Sequence, residues 1–355
     1  MSRQYGWPIV EALPTFTGTR GRDRIRGTGE GDSFDMSQGG HDKVSGLAGN
    51  DGFYFGSRFD ARDMVNGGSG DDSIALRGRY DDPVVLQADR LESVERLSLI
   101  GPGTYRVALT DLSGVDTFGV GGDTNAPRQA VEIDGSGVTD MKLGLFAGSG
   151  DDVLIGGAKD DTLGSGRGDD LLDGGGGNDK LYFYSPFYVQ HSVVFFGGDG
   201  NDNLGTGQTA ARSFLSGDAG NDTMSSDYIS ADTFYFEADS GDDRVSGFTG
   251  GSDKLWINVA GVDSFDDLTL APAGAATVIS WGDDSSITVS LYQSGLPYLT
   301  AKDFEFGTCD RIEDARARLA AVRAFGDADA PAAHDHAFAA TPHYAALHEA
   351  GGVLA

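Results

Sequence analysis

A nine-residue period constrains this chain more than any other feature. It is plainest in four consecutive units, AGSGDDVLI (147–155), GGAKDDTLG (156–164), SGRGDDLLD (165–173) and GGGGNDKLY (174–182). Asp152, Asp161, Asp170 and Asp179 hold the same place in each unit, and Leu154, Leu163, Leu172 and Leu181 follow two places later. The pattern is G-G-x-G-x-D-x-U-x, where U is a large apolar residue. Glycine at the first, second and fourth places permits positive φ, so the turn folds back with its carbonyls inward. The short strand that follows puts its single U side chain on one face, because side chains alternate along a strand. One unit buries almost nothing, so the units fold only as a stacked array whose U residues form a continuous core.

A sixth-place carboxylate beside inward carbonyls is a set of hard oxygen donors, which suits calcium. The pattern resembles the calcium-binding nonapeptide of the RTX (repeats-in-toxin, hemolysin-type calcium-binding repeat) family, and four tandem copies make the resemblance specific. It implies an all-β fold: a right-handed parallel β-roll or β-solenoid with calcium-binding glycine-rich turns. In rolls of that family a full turn takes two units, and calcium sits between units two apart, stacked on one side. That implies the pairs Asp23 with Asp42, Asp32 with Asp51, Asp152 with Asp170, Asp161 with Asp179, and Asp202 with Asp222.

The expected organisation is a lead-in (1–17), a first array (18–76), metal-poor solenoid coils (77–146), a second array (147–257), a β capping region (258–308), and a helix with a tail (309–355). In the first array GTRGRDRIR and GTGEGDSFD place Asp23 and Asp32, SQGGHDKVS and GLAGNDGFY place Asp42 and Asp51, and GGSGDDSIA places Asp72. Asp60 arrives on schedule in FGSRFDARD, but Arg62 falls on the core position, so that unit reads as degenerate. In 77–146 the Gly-x-Asp signal nearly vanishes while short apolar stretches continue; an inserted functional subdomain is the alternative there. After the aromatic excursion FYSPFYVQHSVVFF (183–196), GGDGNDNLG and GDAGNDTMS supply Asp202 and Asp222. DTFYFEADSGDDRVSGFTGGSDKLWI (232–257) resembles the terminal block of serralysin-type RTX proteins, with Asp232, Asp243 and Asp253 in the matching places. The expected metal ligands are thus Asp23, Asp32, Asp42, Asp51, Asp72, Asp152, Asp161, Asp170, Asp179, Asp202, Asp222, Asp243 and Asp253, with Asp232 at an array end.

Alternation beyond residue 258 predicts an antiparallel hairpin turning at Gly282 to Ser285, capping the open end of the solenoid. DRIEDARARLAAVRAF predicts one short helix with Asp310 as N-cap and Ile312, Ala315, Leu319 and Val322 on one face. The tail holds four of the six histidines, His334, His336, His343 and His348, at spacings that fit no zinc motif.

The formal net charge is −29, which argues against a nucleic-acid partner. Roughly ten bound calcium ions would offset about 20 of those charges. A single cysteine, Cys309, allows no intrachain disulfide, so metal is the expected staple. No apolar run reaches the length of a membrane span, and the opening residues lack a secretory h-region. The RTX resemblance implies export by type I secretion machinery through a C-terminal signal, and hence an extracellular or cell-surface location.

No H-E-x-x-H or G-x-S-x-G motif occurs, and the Asp-Ser pair at 32–33 is accounted for by its repeat unit. His41 is expected to face solvent, and His191 to be partly buried. The expectation is a non-enzymatic calcium-binding protein with a structural or interaction role. A polysaccharide-active enzyme, or a surface-layer or matrix adhesion protein using the 77–146 coils, is the alternative; cell-surface polysaccharide and self-association are the partners considered.

Overall fold

The computed structural model describes residues 15–324 except 127, 184–190, 208–211, 227–229, 283–284 and 293–298. The expectations for the lead-in before Thr15, for much of the aromatic excursion, for two of the four hairpin-turn residues and for the histidine tail lie outside the described residues.

The chain winds as a parallel β-solenoid. One wall is a 15-stranded sheet, in which Thr15–Thr17, Ser33–Asp35, Gly52–Gly56 and Ser73–Leu76 lead through successive turns to Asp242–Phe248. The opposite wall begins as a 4-stranded sheet (Arg24–Arg26, Lys43–Ala48, Met64–Ser69, Leu91–Glu92) and continues as a 10-stranded sheet from Tyr80–Leu86 to Phe304–Phe306. The hand-over falls where the nonapeptide fades, and the coils of 77–146 carry strands of both long sheets.

The U residues stack in register. Leu145, Leu163, Leu181, Leu204 and Met224 form one buried column, and Leu154, Leu172, Phe195, Leu215, Phe234 and Leu255 form the facing one. In the first array Phe16, Phe34 and Phe53 stack with centroids 5.1 and 4.8 Å apart. Full burial of each such side chain contributes about 1.5–3 kcal/mol, which no single unit could accumulate alone. At the far end Thr269–Ala273, Ala276–Ser280 and Ser286–Leu291 form the antiparallel part of the 15-stranded sheet, and Ser286–Leu291 then pairs parallel with Asp242–Phe248.

The helix is Asp310–Arg323; its N-cap is Cys309, and Asp310 is its first helical residue rather than the cap. Ile312, Ala315, Leu319 and Val322 are all buried, against the outer face of the 10-stranded sheet. Around the inward Leu154 and Leu172, the neighbours Val153, Ile155 and Leu171 point outward into this second cluster with Val194, Phe196, Phe214 and Tyr235. The helix is fastened by arginines: Arg316 makes a bidentate pair with Glu237 (3.1 and 2.8 Å), Arg323 pairs with Asp173, and Arg311 donates to Ser192. Tyr235 and Asn258 donate to Glu237 from the other side.

Placing a charge on the apolar stripe of the helix removes its packing and should release it. Leu319→Asp is expected to destabilise helix docking by about 2–4 kcal/mol. Hydrogen exchange would show loss of protection over Asp310–Arg323 with the 15-stranded sheet unaffected; unchanged helix protection would contradict the packing.

Candidate metal centre: two columns of carboxylates

The two edges of the roll, where the chain passes from one wall to the other, carry the glycine turns. On each edge the sixth-place aspartates stack by one repeated contact: the carboxylate Oδ1 in one turn accepts the backbone N–H of the aspartate in the turn before it. One edge holds Asp23, Asp42 and Asp63 (2.9 and 2.8 Å), then Asp152 and Asp170 (3.0 Å), then Asp232 and Asp253 (3.0 Å). The other holds Asp32, Asp51 and Asp72 (2.7 Å each), then Asp161, Asp179, Asp202, Asp222 and Asp243 (2.7, 2.7, 2.8 and 2.9 Å). All thirteen aspartates singled out from the sequence lie on these columns, and each of the five expected pairs consists of direct neighbours.

The degenerate unit needs correction. Asp60 is exposed, and its backbone N–H caps Asp63 Oδ2 at 2.9 Å. Asp63 is the column residue, 1% exposed, and Val65 fills the core position assigned to Arg62, which is exposed. The unit carries three extra residues, and the motif D-x-U survives in Asp63-Met64-Val65.

The second carboxylate oxygens of fourteen of these fifteen aspartates, all but Asp42, are of two kinds. In Asp51, Asp72, Asp152, Asp170, Asp179, Asp202, Asp222 and Asp243, Oδ2 is buried with no hydrogen-bond partner among the described residues. In six others it is engaged: by the Thr19 N–H in Asp23, Thr28 N–H in Asp32, Asp60 N–H in Asp63, Gly157 N–H in Asp161, the Ser230 hydroxyl in Asp232 and Thr249 N–H in Asp253. Those six all stand at the end of a run. A buried carboxylate oxygen with no donor is costly, and at Asp51, Asp72, Asp179 and Asp202 the orphaned oxygen lies beside a backbone carbonyl. A Cβ built on Gly174 would lie 2.4 Å from both Asp179 Oδ2 and the Gly197 carbonyl oxygen; one on Gly197 would lie 2.4 Å from Asp202 Oδ2 and 2.5 Å from the Gly217 carbonyl oxygen. Each cradle is closed to any side chain, and its two nearest lining atoms are oxygens. No group of three or more His, Cys, Asp or Glu that could hold a metal occurs among the described residues, so these donor sets rely on backbone carbonyls. Two carboxylates plus carbonyls fit a hard divalent cation of flexible coordination, as calcium is.

Burial dominates the electrostatics. It pushes Asp72, Asp161 and Asp202 up to about 6, Asp170 and Asp222 to about 7, and Asp179 and Asp243 to about 8, against the opposing effect of backbone N–H donors. Neighbouring column carboxylates add to the rise at Asp179, Asp222 and Asp243. Asp152 is raised well above the ordinary value by burial and then by Asp170. Away from the columns, His41 is exposed and hydrogen-bonds Arg62 at 2.9 Å, while burial lowers the half-buried His191. A cleft of about 400 Å³ beside the helix is bordered by Asp173, Phe196, Asp218, Arg316, Leu319 and Arg323.

Residues 37–57, 59–76, 146–181 and 209–227 match the model of the RTX calcium-binding nonapeptide repeat, in four copies. These four stretches, about a quarter of the chain, thus carry RTX calcium-binding repeats. No curated protein sequence matches it. Among solved structures, the extracellular lipase LipA from Serratia marcescens is similar at 18% identity with a TM-score of 0.25, over 83% of this chain and 40% of the lipase. The chain therefore spans about two fifths of that lipase's length.

The raised carboxyls set a sign for pH dependence. Each holds its proton more tightly in the fold than in the unfolded chain, so without a cation the fold loses stability as pH rises from about 4 toward 8. A cation must displace those protons, so its apparent affinity falls as pH drops from about 8 to 6. With chelator present, strand content by circular dichroism is expected to be higher at pH 5 than at pH 8, whereas calcium titrations are expected to show weaker binding at pH 6 than at pH 8. The same pH trend with and without calcium would contradict the assignment.

Proposed function

We propose that this chain is an exported, calcium-folded β-roll, and that calcium ions lie between stacked turns, held by the thirteen column aspartates named from the sequence, with Asp63 and Asp232 completing the runs. The observation that carries this reading is the set of eight buried Asp Oδ2 atoms with no hydrogen-bond partner among the described residues, those of Asp51, Asp72, Asp179 and Asp202 each lying beside a backbone carbonyl oxygen of the next turn. The four RTX repeat matches support it independently.

The role we propose is structural or interaction-based and not catalytic, because the charged and polar residues that recur along the chain are accounted for by the columns. In cytoplasm poor in calcium the columns repel and the chain stays loose enough to export; at about millimolar external calcium it folds. One site filled at a hundred times its Kd contributes about 2.7 kcal/mol, so several sites together match the roughly 5–15 kcal/mol of a typical domain. No helix among the described residues is long and apolar enough to cross a membrane.

The test is circular dichroism and calorimetry at pH 7.5. Strand content and a cooperative thermal transition are expected in calcium and lost in chelator, and Asp170→Ala is expected to lower the transition and bind less calcium. Equal strand content in both states would sink the proposal.

A further inference from the structure

We propose that Asp72 and Glu95 frame a further calcium site, at the point where the nonapeptide motif is lost. The inference rests on the reading of the columns as calcium sites and extends it into coils where the sequence carries no repeat.

Glu95-Arg96-Leu97 stands in register with Asp72-Ser73-Ile74: Arg96 pairs with Ser73 and the buried Leu97 with Ile74. The Asp72 N–H donates to Glu95 Oε2 at 2.6 Å, the contact that Asp32 and Asp51 make to the next aspartate at 2.7 Å. The run is therefore Asp32, Asp51, Asp72, Glu95. The cradle repeats as well. A Cβ on Gly46 would lie 2.0 Å from Asp51 Oδ2 and 2.6 Å from the Gly67 carbonyl oxygen; one on Gly67 would lie 2.4 Å from Asp72 Oδ2 and 2.0 Å from the Ser93 carbonyl oxygen. Ser93 thus supplies the carbonyl that a repeat glycine supplies one turn earlier, and it adopts φ +49, a left-handed conformation uncommon outside glycine. Asp72 is fully buried, and its Oδ2 has no hydrogen-bond partner among the described residues.

The longer side chain comes with a shorter loop. From Gly67 to Asp72 the turn runs five residues, but from Ser93 to Glu95 only two, and the acid at its end is a glutamate that still reaches the Asp72 N–H. The nearby Arg96 guanidinium is taken up by Asp71, through its carboxylate and carbonyl, and leaves the Asp72 cradle to oxygen. The opposite edge is closed differently. There the buried Gln129 amide donates to the Leu99 and Gly101 carbonyls at 2.9 and 2.8 Å and accepts the Asp123 N–H at 2.7 Å, so a neutral side chain satisfies carbonyls that elsewhere face a carboxylate.

Glu95→Gln preserves length and an acceptor for the Asp72 N–H. Calcium stoichiometry of the full chain, by equilibrium dialysis with atomic emission and by native mass spectrometry, is expected to fall by one ion with strand content retained. Glu95→Asp keeps the charge but shortens the arm, and is expected to weaken one ion about tenfold. Asp179→Asn is the control for the underlying reading. Full stoichiometry in both Glu95 variants, with an ion lost in Asp179→Asn, overturns this site and leaves the columns standing; no calcium binding by the unaltered chain removes both.

Discussion

The stacking of one buried carboxylate upon another, turn after turn, is the constraint on which the rest of the roll depends. Adjacent strands lie about 4.8 Å apart. Two carboxylates at that spacing repel by about 3 kcal/mol at an effective dielectric near 20. The run Asp161, Asp179, Asp202, Asp222 and Asp243 contains four such neighbours, a repulsion comparable with the whole stability of an ordinary domain. The ladder N–H groups satisfy one oxygen of each carboxylate but carry no net charge. Neutralisation has to come from a proton or a cation, and the raised carboxyls express that choice directly.

The columns were largely legible in the sequence because stacking demands that like residues recur at one-turn intervals, so the phase of Asp and U is written into the chain. Legibility failed where the loop length changed. Asp60 keeps the nine-residue count in a unit that reads as degenerate, yet a three-residue insertion moves the carboxylate to Asp63, and only the local D-x-U triplet reports it. Glu95 was invisible for the same reason: its loop is shorter, its first residue is serine, and its acid is longer.

The docking of the helix was missed although both halves of the signal were present. The apolar stripe Ile312, Ala315, Leu319 and Val322 announced a buried face without naming what it meets. Its partner is written in the places flanking U: VLI, LLD and VVFF are apolar at positions that face solvent in a bare roll, so a sheet with such flanks is covered on both sides. In the first array the flanks of U are largely polar, as in RIR and SFD, and the helix does not reach it. Because Val153 and Leu171 immediately follow Asp152 and Asp170, the outer apolar face and the metal column share the same strands, and order in one supports order in the other.

Diffraction from crystals grown in calcium, with anomalous differences recorded at long wavelength, would reveal what occupies the oxygen cradles. Anomalous peaks are expected between successive turns along both edges, next to Oδ2 of Asp51, Asp170, Asp179, Asp202 and Asp222. Cradles filled only by water or closed by protonated carboxyls hydrogen-bonded to carbonyls, with no anomalous density along either column, would contradict the calcium assignment.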